Sequence, residues 1–466
     1  MTPAKWLVLS VLATAVVSAG RGQAPPGTTQ AARVPVPPIV TALGAMPGPD
    51  DLATSPELPD VLQSGGRTIT TAAQWMTRRE EMKRVLSYYA VGLMPPPPGN
   101  VKGTVLKSSE LARGTVSYRL VRLSFGAGRT LGFDVAVFVP ASAKNPVPII
   151  VCPSFSLTPG AAPLPTMLRV PEQGKGLDAL ALPLGDPSPR IARPADDTAG
   201  TQPPPVVMGP PAGPEETAQA YVQVFRRGYG LATYHYQDAG EDTIRRREDG
   251  SWAFRTTRFF PAYPRYDWGL LGAWAWSVSR VIDYLETQPF AARSQYVAVG
   301  HSRIGKAVLI AGAFDERIAV SAPAGSGAGG TGAYRFNGAT SGAREGLDDM
   351  MRKYPNWFSP HLHQFAGRVE RLPFDQHWFM ALTAPRGFIA LEGTEDQNCL
   401  PIAVKAARDG ALPAYTLLNA PDAIGVNYAG HRHELTAEDW TALLDFADVR
   451  LRRATAGRRF DVFPMK

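Results

Sequence analysis

The sequence predicts an α/β fold with a mostly parallel, doubly wound β-sheet. Short, continuously apolar runs recur from residue 147 onward, helical patterns separate them, and two alternating strands precede them. Strands buried on both faces read as unbroken apolar runs, and their alternation with helices indicates a parallel sheet covered on both sides. With 44% hydrophobic residues among 466, the chain can fill a large core.

The N-terminus has the pattern of a signal peptide. Lys5 supplies a positive charge, an apolar core follows from Trp6 to Val17, and small residues end at Ala19. This apolar run is too short to cross a bilayer. We therefore expect residues 1–19 to be removed on export to the periplasm or the medium, with no stable membrane insertion. A retained N-terminal anchor is the alternative.

The next segments indicate one large domain behind a linker. Residues 20–65 are rich in Pro and Ala, which predicts a linker or an extended N-terminal wrap. Residues 66–466 form the predicted domain, which begins with a helix over Ala72 to Tyr89 that the run MPPPPG ends. The segments VSYRLVRLSFG and LGFDVAVFVP alternate apolar and polar residues and predict an antiparallel hairpin at the leading edge of the sheet.

The remaining segments predict the parallel strands and the helices between them. Helices are predicted over Trp268 to Thr287 and Ile304 to Phe314. Buried strands are predicted at VPIIVCPSF, GYGLATYHY, YVAVG, IAVSAPAG and GFIALEG. Residues 158–216 are dominated by Pro, Gly and Ala, and a loop of that length inside a compact domain is functional or mobile. We expect this segment to be an insertion that caps the catalytic face.

The composition argues against several partners and cofactors. The formal charge of +7 comes with short basic clusters that lack interleaved aromatic residues, so we expect no nucleic-acid partner. The pair His361 and His363 is isolated, so we expect no metal site. Residues 325–330 match G-x-G-x-x-G but come late in the sheet, so we expect no dinucleotide site. Cys152 and Cys399 allow either a disulfide or two free, buried thiols.

The stretch GHSRIG, residues 300–305, joins a predicted strand to a predicted helix. Many hydrolases hold their nucleophilic serine at such a turn, because the helix N-terminus favours the negative charge that develops there. The usual pattern is G-x-S-x-G, and here the second glycine, Gly305, comes one residue late. Ser302 is therefore a candidate nucleophile, and a plain helix-capping serine is the alternative.

The residues around Ser302 resemble those of the glucuronoyl esterases, carbohydrate esterase family fifteen. The stretch GHSRIGK is similar to the family's G-x-S-R-x-G-K motif. Further similar stretches follow the family's order: RRGYGLATYHYQDAGEDT, GAWAWSVSRVIDYLET, SGAGG, YPNWF, LPFDQHWFMALTAPR and HELTAEDWTALLDFAD. The resemblance covers roughly residues 147–450, apart from the Pro-rich insertion.

This resemblance implies an α/β-hydrolase fold, a three-layer sandwich, and a serine esterase that needs no cofactor. The implied substrate is an ester between (4-O-methyl-)glucuronic acid of xylan and a lignin alcohol, and we expect a monomer. Ser302 would attack the ester, and Arg303 would stabilise the oxyanion. Lys306 would contact a sugar hydroxyl, and Arg335 matches a family arginine near the pocket.

The general base should come last in the chain, because α/β-hydrolases carry their triad in the order serine, acid, histidine. Of the seven histidines, only His431 and His433 follow the last predicted strands. The residues LTAEDW after His433 keep the family's register, so His433 is the predicted base and His431 is the alternative. His301, beside the serine, is expected to pack within the turn.

The triad acid departs from the family pattern. Gly325 stands where many members carry a glutamate. The strand GFIALEG and the loop after it offer Glu392, Glu395 and Asp396, and a loop at this place is the usual position of the acid in α/β-hydrolases. Asp396 matches an aspartate of other members, so it is the predicted acid, and Glu395 is the alternative.

Two further departures concern recognition of the sugar. Thr340 stands where many bacterial members carry a sugar-binding glutamate, and Asn398 stands where a tryptophan is expected. These departures leave two other functions open. One is an esterase for a different carbohydrate ester, such as acetyl xylan, and the other is a noncatalytic carbohydrate-binding relative.

Overall fold

The computed structural model describes residues 43–111, 114–154, 221–242, 245–246, 252–253, 258–338 and 342–464. The predicted signal peptide, residues 20–42 and the Pro-rich segment 158–216 lie outside these ranges. The predicted wrap is described from residue 43 onward, where Leu43, Met46, Leu52 and Leu58 pack against the core.

A nine-stranded mixed sheet forms the centre of the fold. Two short antiparallel pairs lie outside it: β1 (Gln63–Ser64) with β2 (Arg67–Thr68), and β8 (Arg245–Arg246) with β9 (Trp252–Ala253). The strands of the large sheet are β3 (Lys102–Leu111), β4 (Val116–Phe125), β5 (Leu131–Pro140), β6 (Val147–Ser154), β7 (Gly230–His235), β10 (Ala291–His301), β11 (Ile318–Ala324), β12 (Gly387–Gly393) and β13 (Ile424–Ala429). Their order is β13-β12-β11-β10-β6-β7-β5-β4-β3. Six strands of this sheet are parallel: β6, β7, β10, β11, β12 and β13. The strands β3, β4 and β5 pair antiparallel, so the predicted leading hairpin is confirmed.

Seven α-helices have both ends within the described ranges, and residues 221–226 are helical as well. The seven are α1 (Ala72–Leu86), α2 (Leu270–Leu285), α3 (Arg303–Phe314), α4 (Leu347–Lys353), α5 (His377–Thr383), α6 (Pro401–Leu417) and α7 (Ala437–Arg452). The first predicted helix ends three residues early, and the chain continues as one π-helical turn, Ser87–Val91. At α7, Thr436 and Asp439 form a capping box, which satisfies two backbone N–H groups at the helix start.

The strand side chains alternate between two apolar cores. On β10, Tyr296 and Ala298 join the core that contains the apolar faces of α1, α2, α3, α5 and α6, whereas Val297 and Val299 join the core under α7. A strand sandwiched in this way must be apolar on both faces, which is why β10 reads as a continuous apolar run. The predicted three-layer α/β sandwich is confirmed.

The carboxyl ends of the parallel strands meet at one edge of the sheet. The chain leaves β10 at His301, β12 at Gly393 and β13 at Ala429, and the loops that follow carry the predicted serine, acid and base. Open α/β sheets bind their ligands at this edge.

Two further sequence expectations concern the cysteines and the membrane. Cys152 and Cys399 are both buried and free, so the alternative of a disulfide is excluded. Burial raises the pKa of Cys152 to about 12, which keeps the thiol protonated and unreactive. Among the helices of the described ranges, none combines the length and the hydropathy needed to cross a membrane.

Candidate active site

The turn between β10 and α3 holds Ser302 in a strained backbone conformation. Its φ is 57° and its ψ is −126°, outside the regions that a non-glycine residue usually adopts. The backbone N–H of Ser302 donates to the carbonyl of Ala324 on β11, at 2.9 Å. This bond between neighbouring strand ends holds the turn, so that the serine stands at the N-terminus of α3.

Two glycines allow this turn to close. A Cβ atom on Gly300 would lie 2.7 Å from Ile304 Cγ2. A Cβ atom on Gly305 would lie 2.9 Å from the carbonyl oxygen of Gly300 and 2.9 Å from Ser326 Cβ. The late glycine of the sequence motif therefore serves the close contact between α3, the turn and the loop after β11, where no side chain fits.

Three side chains from three loops form a continuous hydrogen-bonded row. His433 Nε2 lies 2.9 Å from Ser302 Oγ, and His433 Nδ1 lies 2.7 Å from Asp396 Oδ2. The other carboxylate oxygen of Asp396 accepts the backbone N–H of Asn398 at 2.8 Å. In this arrangement the imidazole can accept the serine proton at Nε2, while the carboxylate fixes the tautomer that carries its proton on Nδ1.

The other two candidate acids lie elsewhere. The side chain of Glu395 is 60% exposed and lies 3.5 Å from Arg432, whereas the side chain of Asp396 is 1% exposed. Glu392 is buried behind the row, where Thr331 Oγ1 donates to its Oε1 at 2.5 Å. Burial raises the pKa of Glu392 to about 8, and the charge of Asp396 adds to that rise, so Glu392 is mostly protonated at neutral pH.

The position of Gly325 explains the departure from the family's usual acid. Gly325 has a φ of +46°, and a Cβ atom there would lie 3.2 Å from His301 Nε2 and 3.4 Å from Asp396 Oδ2. A longer side chain would therefore start in the space beside the Asp396 carboxylate. The glycine and the later aspartate are compatible with each other, and two acids at this point would crowd.

The two neighbouring histidines, His301 and His431, interact with other groups of the protein. The His301 ring packs 4.6 Å from the His433 ring, and burial lowers the pKa of His301 far below its usual value, so it is neutral. His431 Nε2 lies 2.9 Å from Asp439 Oδ2, and its Nδ1 bonds the carbonyl of Arg432 at 2.9 Å. Burial alone would lower the pKa of His431, but Asp439 raises it to about 9. The charged His431 thus ties the loop of His433 to α7.

Arg303 lies at the first position of α3, directly after the serine. Its Nη1 donates to Asp242, and its guanidinium lies 5.0 Å from the Trp357 ring centre. Its Nε is buried and has no hydrogen-bond partner among the described residues. Ser302 and Arg303 thus stand at the N-terminus of α3, where the helix dipole favours negative charge.

Lys306 lies one helical turn after Ser302 and carries a partner that sequence reasoning missed. Its Nζ donates to the carbonyl of Ser326 at 2.5 Å and lies 3.6 Å from Glu345. Counting fourteen residues from Ser326 leads to Thr340, which lies outside the described residues.

Arg335 is not placed as the sequence prediction required. Its side chain is 2% exposed, and it forms an ion pair with the fully buried Asp375 at 3.0 Å. Its guanidinium also donates to the carbonyls of Ser55, Leu372 and Phe374. We therefore correct the prediction: Arg335 fastens the N-terminal wrap and the loop before α5 to the domain, and its N–H groups point at the protein.

Among the described ranges, no group of three or more His, Cys, Asp and Glu side chains is arranged to hold an ion.

Comparisons with known proteins agree with this fold. A family model described as glucuronyl esterase, fungi, matches residues 188–419. A carbohydrate esterase of an unknown prokaryotic organism is 27% identical over 440 residues, which cover 88% of this chain and 96% of that protein. The 4-O-methyl-glucuronoyl methylesterase 1 of Wolfiporia cocos is 26% identical over 382 residues, covering 81% and 76% of the two chains. The solved glucuronoyl esterase from Solibacter usitatus has a TM-score of 0.66 at 23% identity, over 86% of this chain and 99% of that one.

The sheet, the turn at Ser302 and the three loops at the carboxyl edge define an α/β-hydrolase. Within this class the comparisons assign a single family. The chain belongs to the glucuronoyl esterases, carbohydrate esterase family fifteen, and is a carboxylic ester hydrolase.

Replacing Arg335 by methionine should lower the free energy of unfolding by about 3–5 kcal/mol, because Asp375 would keep a buried charge without its partner. Urea unfolding measures this loss, and steady-state kinetics on the folded fraction should give kcat and KM near wild type. Arg368→Met is the matched control, since Arg368 pairs with Asp50 at the surface. Wild-type stability with a raised KM would instead show that Arg335 binds substrate.

Glu392 should make stability fall with rising pH. Its pKa rises from an ordinary value of 4.5 to about 8 on folding, so the folded chain retains a proton that the unfolded chain releases. The stabilisation is complete below pH 4.5 and is lost as the pH rises through 8. Glu392→Gln, which has the same shape and no charge, should flatten the decline of Tm between those pH values.

The control for this experiment is the exposed Glu395→Gln, which should keep the wild-type slope. The pKa of His431 is also raised, to about 9, which adds a slope of the same sign, so the Glu392→Gln slope should shrink and not vanish. An unchanged slope in Glu392→Gln would mean that this carboxyl is ionised in the folded protein.

Proposed function

We propose that this enzyme hydrolyses esters of (4-O-methyl-)glucuronic acid through a triad of Ser302, His433 and Asp396. The observation that carries the proposal is the row of hydrogen bonds from the serine hydroxyl through the imidazole to the buried carboxylate, at 2.9 and 2.7 Å. A helix-capping serine would need no such partner, because its hydroxyl would bond a backbone N–H of its own helix.

The reaction follows the two steps of serine esterases. His433 takes the proton of Ser302 as the hydroxyl oxygen attacks the ester carbonyl, and Asp396 stabilises the imidazolium. The tetrahedral oxyanion lies at the N-terminus of α3, where the backbone N–H and the guanidinium of Arg303 stabilise it. The intermediate collapses as the C–O bond to the alcohol breaks, and the alcohol leaves with the proton from His433. Water then attacks the acyl-enzyme in the same way and releases the uronic acid.

The proposed acyl group is a uronic acid. The Wolfiporia cocos relative is named a 4-O-methyl-glucuronoyl methylesterase, and its likeness supports a uronate ester. Lys306 and Glu345 supply a donor and an acceptor beside the serine, which suits vicinal sugar hydroxyls. The leaving group in plant cell walls would be a lignin alcohol, and the signal-like N-terminus supports export to that substrate.

A different carbohydrate ester is the second candidate. Asn398 stands where the family pattern has a tryptophan, so this position supplies no apolar ring to cover one face of the sugar. The backbone of Asn398 is held by Asp396 and by Asn337, so this loop keeps its shape without the ring. A smaller or less selective acyl site would follow from that replacement.

Substrate comparison tests the assignment. Purified enzyme should hydrolyse benzyl glucuronate with a kcat/KM at least tenfold above that for acetylated xylan, and Ser302→Ala should abolish both activities. A preference for acetylated xylan would favour the second candidate. Equal residual rates in wild type and Ser302→Ala would indicate a noncatalytic carbohydrate-binding protein.

Replacing Asp396 by asparagine should lower kcat by up to ~10⁴, because the imidazole would lose the group that fixes its tautomer. Steady-state hydrolysis of benzyl glucuronate measures the loss, and thermal unfolding should show little change in stability. Glu395→Gln is the matched control and should keep wild-type kcat, since that side chain is exposed. The reverse pattern would move the acid to Glu395.

A further inference from the structure

Asp242 lies beside the proposed oxyanion arginine, at the carboxyl end of β7. Its Oδ2 accepts a hydrogen bond from Arg303 Nη1, and its Oδ1 accepts the indole N–H of Trp357 at 2.7 Å. The carboxylate is almost enclosed, with 7% of the side chain exposed. Sequence reasoning did not single out this residue, because Asp242 is one of three acidic residues in the stretch DAGED, residues 238–242, and matches no motif.

We propose that Asp242 is the positioning residue for Arg303 in the esterase reaction, a role that rests on the function proposed above. The carboxylate holds one edge of the guanidinium, so that the arginine side chain has one orientation beside Ser302. Arginine has several rotatable bonds, and an unheld guanidinium would lose much of its effect on a charge that forms at one point. The hydrogen bonds of Asp242 go to Arg303, Trp357 and Tyr236 and not to Ser302, so it would act through Arg303.

Trp357 and Tyr354 restrict the movement of the Arg303 guanidinium perpendicular to its plane. Arg303 lies 5.0 Å from the Trp357 ring centre and 5.8 Å from that of Tyr354. The two rings stack on each other at 3.9 Å with an interplanar angle of 13°. Because Trp357 also donates to Asp242, the carboxylate fixes the in-plane position of both the guanidinium and the indole.

Two electrostatic effects of Asp242 oppose each other. A carboxylate close to the arginine weakens its attraction for an oxyanion, yet it also offsets the cost of burying the arginine. Burial lowers the pKa of Arg303, but Asp242 outweighs burial and raises it, so the guanidinium stays charged. We expect orientation to dominate, since preorganised donors act at the place where the charge develops.

The experiment is a double-mutant cycle between Asp242 and Arg303, measured as kcat and KM for benzyl glucuronate. Asp242→Asn should lower kcat by about 10- to 100-fold and leave KM within about threefold, because only the transition state carries the oxyanion. Arg303→Ala should lower kcat by about 10²–10³. Adding Asp242→Asn to Arg303→Ala should change kcat less than twofold, since the group that Asp242 positions is gone.

Asp315→Asn is the matched control. Asp315 pairs with Arg317 after the other end of α3, about 18 Å from Ser302 by helix length, and is 9% exposed. It should lower Tm as Asp242→Asn does and keep wild-type kcat. A similar loss of kcat in both variants, or additive losses in the cycle, would reduce Asp242 to a structural residue.

Three other outcomes are informative. A higher kcat in Asp242→Asn would mean that charge repulsion outweighs orientation and would overturn the proposal. Unchanged kinetics in Asp242→Asn would also overturn it. Failure of the proposed function itself would look different: the wild-type enzyme would hydrolyse benzyl glucuronate no faster than Ser302→Ala.

Discussion

The backbone of Ser302 is the constraint on which the site depends. A non-glycine residue with a φ of 57° is stable only where its surroundings over-determine it. Here the bond to Ala324 and the glycine contact between Gly300 and Gly305 supply that support from β10, β11 and α3. This backbone conformation directs the hydroxyl away from its own helix and toward His433. Ser302 therefore stands at the start of a helix without capping it.

The histidine reaches this hydroxyl because its loop is held at both ends. Before it, charged His431 lies against Asp439, and after it the capping box of Thr436 and Asp439 begins α7. The buried carboxylate of Asp439 therefore orders both the start of α7 and the loop that carries His433. The imidazole itself is held from behind by Asp396, whose second oxygen is occupied by the backbone of Asn398.

Charge around the site is divided between ionised and neutral groups. Asp396 accepts hydrogen bonds on both oxygens, whereas among the described residues Thr331 is the one donor to Glu392, which mostly holds its proton at neutral pH. A negative charge on Glu392 would compete with Asp396 for the orientation of His433 and so weaken the hydrogen-bonded row from Asp396 to Ser302. Arg303 keeps its charge because its pairing with Asp242 outweighs the effect of burial on its pKa.

The sequence by itself determined seven of the nine strands of the large sheet, all but β3 and β13, together with the turn at Ser302 and the order of the candidate site residues. Apolar periodicity reports burial on both faces, and the glycines around Ser302 report contacts that no side chain tolerates. Only the tertiary structure decided which side chains from remote loops lie close together. Asp396 and Glu395 are adjacent in sequence, but only one side chain is buried toward His433. Arg335 matched a pocket arginine by register, yet its guanidinium pairs with Asp375. Asp242 meets Arg303 across 61 positions, a contact that no local pattern encodes because it exists only once β7 and β10 lie in one sheet.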